Sequence, residues 1–173
     1  MASYYYLMSS LPMLRSDGDM PFRYDTFLEM CRSCVSHTSY ERLENLTVNS
    51  SEGPLIEEWA AFYGALADEL ASQRSARLGK SRETSTVCDE NTARTVADAL
   101  HAKNPLEAEN LLLKLEFEQL DELIGIHAFD EYALNGYALK LKLLERQTVF
   151  DKTRGKAECK RLLDNLRQQI MSI

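Results

Sequence analysis

Apolar residues recur at three- and four-residue intervals along most of the chain. Leu55, Trp59, Phe62, Leu66 and Leu70 form one such row, and Leu134, Tyr137, Leu141 and Leu144 another. That period predicts amphipathic helices, whereas a half-buried strand would alternate every second residue. The opening "YYYLMSS" suits a short helix over residues 3–10, closed off by Pro12, although tyrosine's liking for sheets leaves a strand open. The polar stretch "RSDGDMPF" is a loop. A helix follows in "RYDTFLEMCRSCVS", where Phe27, Met30, Cys31 and Cys34 share a side, and a shorter one in "SYERLENLTV", with Ser39 as its cap.

Later boundaries are marked by their chemistry. Pro54 stands where a first-turn proline belongs, Glu57 and Glu58 favour the positive end of the helix dipole, and Gly79 is a stop after Arg77. "KSRETST" reads as an exposed loop. Another helix is expected near 86–102, with Val96, Ala97 and Leu100 inward. Asn104 and Pro105 then cap and open a helix whose apolar set (Leu111, Leu112, Leu115, Leu120, Leu123, Ile124) is broad enough to meet neighbours on two sides. The last segment runs from Asp130 almost to Ile173, with Cys159, Leu162, Leu163, Leu166 and Ile170 resuming the row. Unbroken, it would be a rod of about 60 Å; Gly155 is the point at which it would split. The expectation is an all-α fold: an irregular bundle of five to seven helices with a long C-terminal helix, forming a single helical domain over 1–173.

Composition narrows this picture. With 173 residues a core can form without disulfides or metal, and 7 Gly and 4 Pro suit long helices. No base precedes Arg15 and Pro12 interrupts the first apolar run, so the opening reads as part of a cytoplasmic fold rather than a secretory signal. A net charge of −7 disfavours a general nucleic-acid binder, and no apolar run is long enough for direct membrane insertion. The charge is uneven. Residues 140–167 hold nine bases and four acids, a net +5 that leaves −12 elsewhere. Such a segment is either an interaction surface or a helix face whose bases meet acids of the same fold.

Motifs for catalysis are scarce. Cys31 and Cys34 form a C-x-x-C pair, open to core packing, zinc or redox use; its place late in a helix and the lack of a second ligand pair favour packing. His37, His101 and His127 make no metal-binding helix motif, and no phosphate-cradling glycine loop or nucleophile elbow occurs. Glu116, Glu118, Asp121 and Glu122 read as a solvated carboxylate face. No cofactor is implied. Tyr4, Tyr5 and Tyr6 point about 100° apart on a helix, so at least one must look outward. Either two are core and one exposed, or the row anchors an interface.

The opening "YYYLMSSLPML", together with "FRYDTFLEMC", resembles the start of an uncharacterised bacterial family encoded beside V-type (A/V-type) ATPase subunits. A second stretch, "FDEYALNGYALKLKLLERQTVFDKTRGK", is similar as well. That family is distantly similar to the stalk subunit called C, or d in eukaryotes, a helical funnel between rotor ring and central shaft. At about half that subunit's length, this chain would supply only part of the funnel. The resemblance implies a non-catalytic subunit or assembly factor in proton or sodium transport, peripheral to the inner membrane through the ATPase complex. Its partners would be the rotor ring or central shaft. The expected contact residues are Tyr4, Tyr5 and Tyr6 with the bases Lys140, Lys142, Arg146, Lys152 and Arg154. A free-standing helical adaptor, or a zinc or thiol protein using Cys31 and Cys34, is the alternative.

Overall fold

A computed structural model describes residues 4–80, 88–148 and 152–171. Among them are eight helices and no strand. These are α1 (Tyr4–Ser10), α2 (Tyr24–Cys31), α3 (His37–Glu44), α4 (Ile56–Arg77), α5 (Glu90–His101), α6 (Pro105–Ile124), α7 (Glu131–Thr148) and α8 (Lys152–Met171). The eighth comes from the last segment. That segment is described as helices of 18 and 20 residues on either side of residues 149–151, and Gly155 lies inside α8. The "KSRETST" loop falls almost wholly outside the described residues.

Local chemistry sets the helix starts, with two departures from expectation. The cap of α3 is Ser36, whose Oγ accepts from the Ser39 N–H at 3.1 Å; Ser39 sits in the first turn and its own hydroxyl pairs back to Ser36. Pro54 lies in the turn before α4 rather than in its first turn. The cap there is Leu55 at φ +65°, a left-handed conformation that costs a branched residue about 1–2 kcal/mol. Burial of its side chain offsets that cost, and the Asn135 side-chain amide donates to the Pro54 carbonyl at 3.0 Å. Asp89 caps α5 by accepting from the Thr92 N–H at 3.0 Å, and Asn104 caps α6 in the same way from Glu107 at 2.9 Å. Gly79 (φ +71°) follows the end of α4, in the left-handed conformation that closes helices.

Helix α7 is the hub. It packs against α1, α2 and α3 on one side and α6 on another, and eleven of its residues are buried. Its small residues make this possible: a Cβ at Gly136 would stand 2.5 Å from Ile124 Cδ1. Phe27, Cys31, Leu43, Trp59, Leu113 and Leu120 join it in the main core. A smaller cluster of Leu66, Val96 and Leu115 ties α4, α5 and α6 together. The buried face of α6 is Leu113, Leu115, Glu116, Phe117 and Leu120, while Leu111, Leu112, Leu123 and Ile124 are half-buried flanks. None of the described side chains of α8 is buried or half-buried.

Candidate functional site

Two stretches more than a hundred residues apart meet at the N-terminal end of the bundle. The Tyr137 hydroxyl donates to the Pro12 carbonyl at 3.0 Å, and its ring lies 5.6 Å from that of Phe27. These contacts hold α1 and the following loop against α7. Helix α1 is only seven residues long and buries Leu7 alone, so it lies on the surface. Of its three tyrosines, Tyr4 is half-buried, with its hydroxyl 3.5 Å from Ser39 Oγ. Tyr5 and Tyr6 are 59% and 75% exposed, so two rings face outward rather than one.

The outward rings have company. Tyr5 packs on Phe129 with centroids 4.8 Å apart and meets Tyr6 edge to face at 5.6 Å. Phe129 and the fully exposed Ile126 come from the turn between α6 and α7, and Met13 from the loop after α1. A shallow hollow of about 310 Å³, lined by Met8, Met13, Ile124 and Ala128 among others, joins these elements. The α6–α7 turn is braced. His127 pairs with Asp130, which also accepts from the Ala133 N–H at 2.9 Å and so caps α7. The His127 ring stacks on Tyr132 at 4.4 Å, and the Tyr132 hydroxyl donates to Glu58 at 2.6 Å, a bond that pushes its pKa up to about 12. The patch is therefore a set of exposed rings and aliphatic chains on a fixed base. Such surfaces associate by burying apolar area, with aromatic side chains as anchors.

The expected basic strip is placed differently. Lys140 is buried and pairs with Asp121 beside the Phe117 ring. The Lys142 ammonium stands 3.6 Å from the centroid of Tyr24 and near Glu145. Arg146 donates twice to Glu116 (2.7 and 3.1 Å) and once to Glu109 (2.8 Å), with the Tyr63 hydroxyl beside it at 3.5 Å. These three bases meet acids and rings of their own fold and do not form an exposed strip. Glu116 is correspondingly a buried residue, not part of a solvated face. Burial pushes its carboxyl pKa up, and Arg146 opposes that shift without cancelling it. The side chains of Lys152 and Arg154 lie outside the described residues. The exposed bases of the segment are those of α8 from Lys156 onward.

Cys31 is buried in the main core, and burial raises its thiol to about 12, away from the thiolate that redox or metal chemistry needs. Cys34 is half-buried. Among the described residues, no three His, Cys, Asp or Glu side chains are placed to share a metal ion, and no helix is long and apolar enough to cross a membrane.

No protein-family model, curated protein or solved structure matches this chain. The aromatic patch is thus the feature on which a functional reading rests. Sequence reasoning placed Tyr5 and Tyr6 in it and missed Met13, Ile126 and Phe129. Their signal was present: "GIHAF" sets two large apolar residues after a glycine, outside the helical row on either side.

Proposed function

We propose that this protein is a non-catalytic helical subunit or assembly factor of a V-type (A/V-type) ATPase, coupling rotor ring and central shaft in a complex that moves protons or sodium ions. The observation that carries the reading is the exposed Tyr5–Tyr6–Phe129 patch. Its two halves belong to the two stretches that resemble the ATPase-linked family, and the fold brings them into one unit of α1, α2 and α7. A coupler needs a stiff body and an anchoring surface. Here the rings stand on a base braced by hydrogen bonds and backed by the most buried helix of the bundle. The partner contact is accordingly assigned to Tyr5, Tyr6 and Phe129. Lys140, Lys142 and Arg146 serve it indirectly by holding α7 in place.

The test is copurification of ATPase subunits from the native cells with wild type, Tyr5→Ala/Phe129→Ala and Lys140→Glu/Lys142→Glu. The aromatic variant should lose association at low and high salt alike, because apolar burial is insensitive to screening, while keeping the wild-type melting temperature. The charge-reversal variant should fail through a lowered melting temperature. Absence of ATPase subunits from the wild-type eluate would replace this reading with that of a free-standing helical adaptor.

A further inference from the structure

Helix α8 has a sided chemistry that the aromatic patch does not use. At 100° per residue, Cys159, Leu162, Leu163, Leu166 and Ile170 fall within about 100° of arc. Leu162 and Leu163 are 53% and 52% exposed, and Cys159 is exposed. One edge of this stripe carries Lys156, Lys160 and Arg167; the other carries Gln169 and Glu158. In all, α8 holds six bases against two acids, a net +4 that leaves −11 on the rest of the chain.

A matching surface exists on the body. The loop after α1 and the facing ends of α6 and α7 enclose an open groove of about 660 Å³. Met20, Leu111 and Leu144 supply its apolar lining. Asp17 and Asp19 stand on the loop wall; Glu107 and Lys114 come from α6. The groove offers what α8 lacks: an apolar floor, acids to face a basic edge and a base to face Glu158.

We propose that two copies of this chain associate by exchanging α8, each helix lying in the other copy's groove. Charge decides against the other occupants. Two α8 helices packed antiparallel would set basic edges against each other, and a parallel pair would offer each edge of three bases only Glu158, where the groove offers Asp17, Asp19 and Glu107. A helix lying on a membrane has an apolar face of Trp, Phe or Leu and a polar face rich in bases; α8 has no aromatic ring and sets Glu158 and Asp164 among its bases. Among the described residues, no α8 side chain is covered by its own body. A two-fold exchange satisfies both helices and both grooves at once, the usual geometry of self-complementary dimers. The proposal is independent of the ATPase reading, because it uses none of Tyr5, Tyr6 or Phe129.

The experiment is sedimentation equilibrium of the full chain at low and high salt, with far-UV circular dichroism to check folding. Wild type should dimerise, more weakly at high salt. Lys156→Glu/Lys160→Glu, and separately Asp17→Lys/Asp19→Lys, should each raise the dimer dissociation constant about tenfold at low salt. All four residues are exposed, so neither variant threatens the core. An equimolar mixture of the two variants should form a heterodimer of near wild-type strength, because each acidic helix then meets a basic groove and each basic helix an acidic one. A wild type that stays monomeric, variants that dimerise as well as wild type, or a mixture that fails to recover would each overturn the exchange. So would a monomer that sediments with phosphatidylserine vesicles, which would assign α8 to a lipid surface.

Discussion

Helices α7 and α8 follow one another in the chain, differ by two residues in length and are both rich in bases, yet their fates are opposite. Eleven of the 18 residues of α7 are buried, while the described side chains of α8 are all exposed. Amphipathicity does not separate them, for α8 has the more sharply sided pattern. What separates them is the rest of the circumference. In α7, small and apolar residues (Ala133, Gly136, Ala138, Leu139, Leu143) occupy positions between the expected row, so neighbours approach from several sides. Lys140 and Arg146 find acids on α6, and Lys142 lies by Glu145 of α7 itself and the Tyr24 ring. In α8 the positions between the leucines are charged or amide-bearing. A helix apolar nearly all round becomes a core, and one with a single narrow stripe waits for a partner.

The largest expected effect tests the charges. Removing one member of a buried pair strands the other, so Arg146→Ala should cost about 3 kcal/mol by urea denaturation through leaving Glu116 buried alone. Arg161→Ala in α8, whose partner Glu158 is exposed, should stay within about 0.5 kcal/mol. Equal costs would break the contrast. The glycines sharpen it next. Gly136→Ala would push a methyl against Ile124 and Leu55; overpacking of about 1–3 kcal/mol, partly offset by alanine's better helix propensity, should leave a net loss of about 1 kcal/mol. Gly155→Ala has nothing within 4 Å and should gain up to about 1 kcal/mol of helix stability, seen as added far-UV ellipticity.

The smallest effect is a slope in pH. Burial raises the Glu116 carboxyl above its ordinary value of 4.5, with Arg146 pulling the other way. The native state then keeps a proton that the unfolded chain has released, so this residue's contribution is fully present below 4.5 and declines as pH rises through the raised value. In Glu116→Gln that decline should be absent from the stability profile. A profile with the same slope in both proteins would show that Arg146 neutralises the site completely.

Helix type and most boundaries were legible because they depend on neighbours in the chain. Asn104 and Pro105, Gly79 and the apolar periods act within a turn or two. Ser36 was masked by Ser39, since either serine has the right spacing and only the extended backbone at Ser36 decides between them. Pro54 misled for a similar reason: the left-handed Leu55 that follows it depends on burial against α7, a tertiary fact. The charged residues were the least legible. Whether Arg146 faces water or Glu116 depends on how α6 lies against α7, 30 positions away in sequence, and the same packing turned an apparent solvated face into a buried carboxylate. The patch was half visible, because tyrosines at the surface can be expected but their pairing with Phe129 cannot.

Trp59 is the chain's single tryptophan and has no solvent exposure. Its indole N–H donates to the Val48 carbonyl at 2.9 Å, and its ring lies against Phe62 and Tyr63. Light emitted from this ring reports the main core and nothing of α8, which has no chromophore of its own. Circular dichroism, by contrast, counts the 20 residues of α8 along with the other helices. In a thermal scan, the arm would melt as an early loss of ellipticity while emission stays blue and unchanged. The gap between the two curves is a built-in measure of how tightly α8 is held, in solution, without a label.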